Sequence, residues 1–276
     1  MPQIKAILVD FDGTLLQKDQ VYISLRNMCA IRQAMARGVH IIPATGRVVD
    51  MVPPQIEAEP GIRYWVTSSG GRVVDRHTGD VIHTATWTPE ESAVLCRIFE
   101  GQQIYAEIAA AGKIYLEQAI ADQLERCAVP PHHVWFLAMG RQISVERPSE
   151  HFLKHRIGIE KLNLYGIPPE KQEILHRQLE DTGFVWHTDP VGEKLQCFPK
   201  NADKIFAIRT LLGRLNLTLD QVMSLGDGIL DSEIICQSGI GVAMGNAPDW
   251  LKAQADYVTA SFDEDGVAEA IERFVL

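Results

Sequence analysis

The sequence has no apolar run of membrane-spanning length, and no secretory-type hydrophobic segment precedes its first strand-like stretch. Cysteine is sparse and unpatterned. The five residues, Cys29, Cys96, Cys127, Cys197 and Cys236, are odd in number, scattered and without a CxxC. That usage argues against a disulfide framework, a zinc finger or a dithiol redox centre, and it fits thiols kept reduced in a cytoplasm. Positive charge is also short: 26 Lys and Arg face 36 Asp and Glu, for a net charge of −10. Nucleic acid and anionic membranes are therefore not expected as partners. A small anionic substrate would need local positive charge, or a metal, inside its site. Internal repeats and low-complexity tracts are absent. What remains is an ordinary globular composition, 46% apolar and 22% charged over 276 residues, enough for one large domain or two modest ones.

The chain is organised around its opening residues. Ile4 and Ala6 to Val9 form a short apolar run, as expected of a parallel strand buried on both faces. It stops at Asp10-Phe11-Asp12-Gly13-Thr14. Residues two apart in an extended segment point the same way, so both acids can face one small space. Two such carboxylates repel unless a cation lies between them or one keeps its proton. By itself the pair is open to three readings: an Asx-type turn, the Asp-x-Asp of a metal-dependent glycosyltransferase, or another metal-assisted site.

The rest of the chain narrows the choice. Ser24 is placed as the N-cap of a helix that Gly38 ends, and the run from Val39 to Pro43 leads into Thr45-Gly46-Arg47. A hydroxyl and backbone N–H groups beside a helix start form a natural phosphate seat, while a plain cap-and-turn is the simpler alternative. Tyr64 to Thr67 reads as a third strand, followed by Ser68-Ser69-Gly70-Gly71 and a hairpin over Arg72 to Asp75 and Val81 to Thr84. From about residue 84 the pattern becomes α+β, with Thr88-Pro89 starting a helix, and near 191 the parallel pattern returns. Val222 to Leu225 is expected as a buried strand breaking at Gly226-Asp227-Gly228-Ile229-Leu230-Asp231. Asp227 and Asp231, four apart, would share a helix face if the helix began at Asp227. In a parallel sheet the ends carrying Asp10, Asp12, Thr45, Asp227 and Asp231 lie on one edge, where ligands bind. Several carboxylates there call for a hard divalent cation such as Mg²⁺.

These residues carry a family resemblance over nearly the whole chain. The chain resembles the haloacid-dehalogenase-like (HAD) phosphatases, and within them the Cof-type group with a large α+β (C2-type) cap. Asp10-Phe11-Asp12-Gly13-Thr14-Leu15 is similar to the family's first motif, Thr45-Gly46-Arg47 to the second and Lys204 to the third. Gly226 to Asp231 resembles the fourth, and Gly241-Val242-Ala243-Met244-Gly245-Asn246-Ala247 the tail motif of the Cof group. The resemblance implies an α/β, Rossmann-like doubly wound parallel sheet over 1–83 and 191–276, with an inserted cap domain over 84–190 that closes over the site and sets specificity. It implies a Mg²⁺-dependent phosphatase of small phosphorylated metabolites, sugar phosphates foremost, in the cytoplasm, as a monomer or small homo-oligomer. Asp10 would be the nucleophile that becomes an aspartyl-phosphate and also a metal ligand. Asp12 would be the general acid and base, with its carbonyl on the metal. Asp227 would bind Mg²⁺, and Asp231 would do so directly or through water. Thr45, Gly46, Arg47 and Lys204 would hold the phosphoryl group, with a surface role at a helix start left open for Arg47.

Three positions depart from the pattern: Leu230 stands where Asn is usual, Ile205 where Gly is usual and Ser69 where Asn is common. None removes a nucleophile, metal ligand or charge, although Leu230 is expected to loosen the metal loop. Two other readings stay open, a phosphosugar mutase and a weakly active phosphometabolite-binding protein. His132-His133 is expected as a solvated cap loop, His151 and His155 as a helical pair without a third metal ligand, and the five tryptophans as packing residues.

Overall fold

The computed structural model describes residues 3–130, 133–188 and 192–276. In chain order the strands are β1 (Ala6–Val9), β2 (His40–Pro43), β3 (Tyr64–Thr67), β4 (Arg72–Asp75) and β5 (Val81–Thr84). They continue as β6 (Tyr105–Ala110), β7 (Lys113–Glu117), β8 (Ile143–Val145), β9 (Ile159–Tyr165), β10 (Val185–Thr188) and β11 (Lys194–Phe198). The last are β12 (Val222–Gly226), β13 (Ile240–Ala243) and β14 (Tyr257–Val258). The chain divides into two compact units, one of residues 1–47, 52–83 and 203–276, the other of 48–51 and 84–202.

The first unit is α/β. Its parallel sheet runs β14-β13-β12-β1-β2, with β1 at Val9 opposite Leu225 of β12 on one side and Pro43 of β2 on the other. All four β1 residues are buried, because both sheet faces are covered. Ala6 and Leu8 pack with Ile205, Ile208 and Leu211 of the helix Lys204–Leu215. A parallel bridge from Ala44 to Val66 sets the small sheet β3-β4-β5 beside the end of β2. Local chemistry marks the first helix well. The Ser24 side chain accepts from the Asn27 amide to start Leu25–Ala36, and Gly38 sits past its end at φ +79°. After Arg47, however, only a 3₁₀ turn at Val49–Met51 and the short helix Pro54–Glu57 form, with prolines at 53 and 54, instead of the full helix expected.

The second unit is α+β. Its sheet runs β10-β11-β9-β6-β7-β8 and is antiparallel except for β7 with β8. Alternate residues Ala106, Ile108, Ala110, Leu162 and Leu164 bury one face against Leu95 and Phe99, Phe152, and Leu175 and Leu179 from three helices. Two expectations are corrected here. β11 pairs with β9 and β10, so residues through 202 belong to this unit, whereas the sequence pattern placed its end at 190, a position outside the described residues. Val48 and Met51 also join it, packing with Tyr105, Ala109 and Leu116. His133 is not solvated: it is buried, with Nδ1 2.5 Å from Glu107, itself buried and accepting from the Tyr105 hydroxyl at 2.9 Å. His132 lies outside the described residues. His151 and His155 lie one turn apart on the helix Pro148–His155, their rings tilted with centroids 4.5 Å apart. No helix among the described residues is long and apolar enough to cross a membrane.

Candidate active site

Hydrogen bonds continue the first unit's sheet past its strands and fix what lies at its carboxyl edge. Asp10 donates its amide to Leu225, Ala44 to Val9, and Met244 to Gly226. The segments after β1, β2, β12 and β13 therefore emerge side by side. The turn after β1 needs a left-handed residue, and Gly13 supplies it at φ +75°. A Cβ on Gly13 would lie 2.2 Å from Asp227 Oδ2. Next to it, Thr14 Oγ1 donates to Asp227 Oδ1 at 3.0 Å. Asn246 Nδ2 donates to the Gly13 carbonyl at 2.9 Å and reaches Asp227 Oδ2 at 3.4 Å. The sequence marks Thr14 and Asn246 only as members of their motifs; it does not show their partners.

Asp231 converges by a different route from the one expected. The helix is Ile229–Gln237 with Gly228 as its N-cap, so Asp227 precedes it and the two acids are not helical neighbours. Asp231 instead folds back as an N-terminal cap, Oδ2 accepting from the amides of Asp227 at 3.3 Å and Gly228 at 3.2 Å. Its Oδ1 accepts from Lys204 Nζ at 2.7 Å. Lys204 is the first residue of its helix, capped by Asp203, whose Oδ1 accepts from the Ile205 and Phe206 amides. Gly70, at φ +94°, lets the turn after β3 press against that helix start: a Cβ there would stand 2.6 Å from Lys204 Cα.

Carboxylate oxygens of Asp10, Asp227 and Asp231 lie within 4.8 Å of one another, the one such group of three metal-ligating side chains among the described residues. Burial, then repulsion from Asp231, pushes the Asp10 carboxyl well above its ordinary range, against the pull of Lys204. The same two causes push Asp227 up to about 6, with the Thr14 hydroxyl opposing them. Burial works against the Lys204 ammonium, but Asp231 and Asp10 outweigh it and hold it above the usual lysine value.

Thr45 follows directly in this row, its amide on Val66 and its hydroxyl oxygen accepting from the Arg47 amide at 3.2 Å. Arg47 is buried, which removes the surface alternative. Its Nε donates to Asp12 Oδ2 at 2.9 Å and its Nη2 to Asp12 Oδ1. Of the unusual positions, Ile205 is core, Ser69 is buried at φ +56° with its amide on the Thr45 carbonyl, and Leu230 is exposed.

A family model of haloacid dehalogenase-like hydrolases matches residues 7–271. The chain belongs to that family. Within it, this is a phosphatase-class enzyme of the Cof type, with an α/β core and an α+β second unit. This HAD-like hydrolase is 27% identical to phosphatase YwpJ of Bacillus subtilis, over 99% of this chain and 100% of that one. It is 28% identical to the 5-amino-6-(5-phospho-D-ribitylamino)uracil phosphatase YcsE of the same organism, over 99% and 96%. A solved haloacid dehalogenase-like hydrolase from B. subtilis superposes with a TM-score of 0.78 at 25% identity, covering 98% of this chain and 99% of that chain.

Proposed function

We propose that this HAD-like hydrolase is a Mg²⁺-dependent phosphomonoesterase of small phosphorylated metabolites, sugar phosphates foremost, acting in the cytoplasm through an aspartyl-phosphate on Asp10. The observation that carries the reading is the meeting of Asp10, Asp227, Asp231 and the Lys204 ammonium at one strand edge. The relative named for a phosphoribityl substrate supports a small polyol-like phosphate. We assign choice of the leaving group to the second unit.

The donor set fits a hard cation. Three carboxylates crowd together with two pushed toward protonation, and oxygen is the only donor type present. Asp10 and Asp227 would hold the ion, joined by the Asp12 carbonyl. Both oxygens of Asp231 already accept from Lys204 and two amides, so its role toward the metal would run through water. When bound, Mg²⁺ supplies positive charge that offsets the repulsion between a carboxylate nucleophile and an anionic phosphate.

A carboxylate oxygen of Asp10 attacks phosphorus in line with the leaving oxygen, forming the acyl phosphate. Asp12 gives its proton to the departing alcohol, then takes one from the water that attacks phosphorus. That attack breaks the bond to Asp10 and releases inorganic phosphate. Lys204 and the segment Thr45–Gly46 hold the phosphoryl oxygens, fixed charge and dipoles aimed where negative charge gathers. The test is hydrolysis of p-nitrophenyl phosphate with Mg²⁺ by wild type and Asp10→Asn. A loss of roughly 10³-fold or more is expected, and equal rates would end the assignment.

The raised carboxyls add a pH prediction. An acid with its folded pKa above the ordinary value stabilises the metal-free fold fully at low pH, and that contribution is lost as pH rises through about 6, the Asp227 value. Mg²⁺ must displace those protons, so its binding strengthens as pH climbs through the same range. The Mg²⁺-induced rise in Tm should thus be small at pH 5 and large at pH 8; a pH-independent rise would contradict it.

A further inference from the structure

We infer that Arg47 is the positioning residue of Asp12 and serves the water step of the reaction, an inference that rests on the phosphatase reading above. The two N–H groups of the guanidinium fork meet the two oxygens of one carboxylate, the geometry that fixes both direction and distance. The partners are unequal. The Arg47 side chain is 4% exposed and that of Asp12 38%, so the arginine is the anchored member and the acid the one being held. Among the described residues no other group hydrogen-bonds the Asp12 carboxylate. The backbone of Arg47 is held too, its amide by Thr45 Oγ1 and its carbonyl by the Ser68 amide at 2.8 Å. Nη2 also donates to the Gln20 carbonyl at 2.7 Å, and Gln20 sits at φ +55° in a turn closed by Gln17 and Tyr22. One arginine thus ties the acid and the loop after β1, through its side chain, to the end of β2, through its backbone. Among the described residues, Nε and Nη2 are both engaged and the buried Nη1 has no hydrogen-bond partner.

Both donors of the fork point at Asp12 oxygens, which accept from them. Asp12 acts as an acceptor in the second half of the reaction, when it takes a proton from water. Water oxygen bonds to phosphorus, its proton passes to Asp12, and the bond from phosphorus to Asp10 breaks. Arg47 holds the acceptor on line for this transfer, while expulsion of a leaving group that needs no proton makes no demand on it.

Arg47→Lys keeps the charge and loses the fork. With p-nitrophenyl phosphate and Mg²⁺, kcat should fall about 10- to 100-fold and KM should fall with it, because general-base help typically contributes about 10²- to 10⁴-fold. Stopped flow should show a burst of about one p-nitrophenol per active site as phosphoenzyme accumulates. In an Asp12→Asn background the same substitution should have no further effect on kcat, the mark of action through Asp12. A matched fall in kcat and kcat/KM without a burst, or a rise of about 10-fold in the inhibition constant of inorganic phosphate, would overturn the inference and return Arg47 to phosphate binding. If Arg47→Lys does not fold, Gln20→Gly loosens the carbonyl that accepts from it and should lower kcat and KM together a few-fold; an unchanged kcat counts against the inference. Wild-type turnover indifferent to Asp10→Asn would instead remove the phosphatase reading itself.

Discussion

Lys204→Met is expected to destabilise the protein by roughly 3–5 kcal/mol at pH 7 without Mg²⁺, and to lower kcat/KM by about 10³-fold with it. The Lys204 and Asp231 side chains are 10% and 6% exposed, so deleting the ammonium leaves a buried carboxylate with no counter-charge. Asp10 and Asp227 then repel it unrelieved, and methionine fills the volume without repairing the charge. The pH dependence gives the cause away. Acidification protonates the raised carboxyls, so the penalty should shrink between pH 7 and pH 5, and added Mg²⁺ should shrink it at pH 7. Urea unfolding of both proteins under the three conditions measures this. A penalty below about 1 kcal/mol at pH 7 would mean that Lys204 does not neutralise the cluster.

Gly13→Ala should cost about 10²-fold in activity and weaken Mg²⁺ binding about 10-fold, because misplacing a reacting group by an ångström costs about that much. Two effects combine in it. The left-handed φ of +75° strains any side chain, and the new methyl would occupy the place of the Asp227 carboxylate. Gly38→Ala separates them: it carries a similar φ of +79° but has nothing within 4 Å of the added Cβ. Both variants should lose about 1–2 kcal/mol of stability, and only Gly13→Ala should lose turnover and metal affinity. If Gly38→Ala were equally impaired, backbone strain and not contact with Asp227 would be the cause.

Much of what gathers at the strand edge is legible in the sequence. Asp10, Asp12, Thr45 and Asp227 follow strands whose apolar runs are continuous, and parallel strands end on one edge whatever their order in the chain. The Ser24 and Thr88 caps were readable for a similar reason, since a cap is decided by residues three or four apart. Less was legible about partners. Nothing local links Arg47 to Asp12, its partner 35 residues away in sequence. Asp227 and Asp231 would share a helix face only if the helix began at Asp227; it begins at Ile229, and Asp231 reaches Asp227 through a backbone cap. The end of the second unit is not legible locally, because a short strand such as β11 looks alike in either unit; its partner β9, some 30 residues upstream, decides where it belongs.

The amino-acid sequence alone determined which residues stand at the strand ends, how the local turns cap, and that acids outnumber bases in the chain. Those properties depend on side-chain type and on spacings of two to four residues. Only the tertiary structure decided which polar group answers which: Thr14 on Asp227 across 213 positions, Lys204 on Asp231, Arg47 on Asp12. Such pairings depend on strand register and on side-chain direction in a shared space, and neither leaves a periodic trace in the chain.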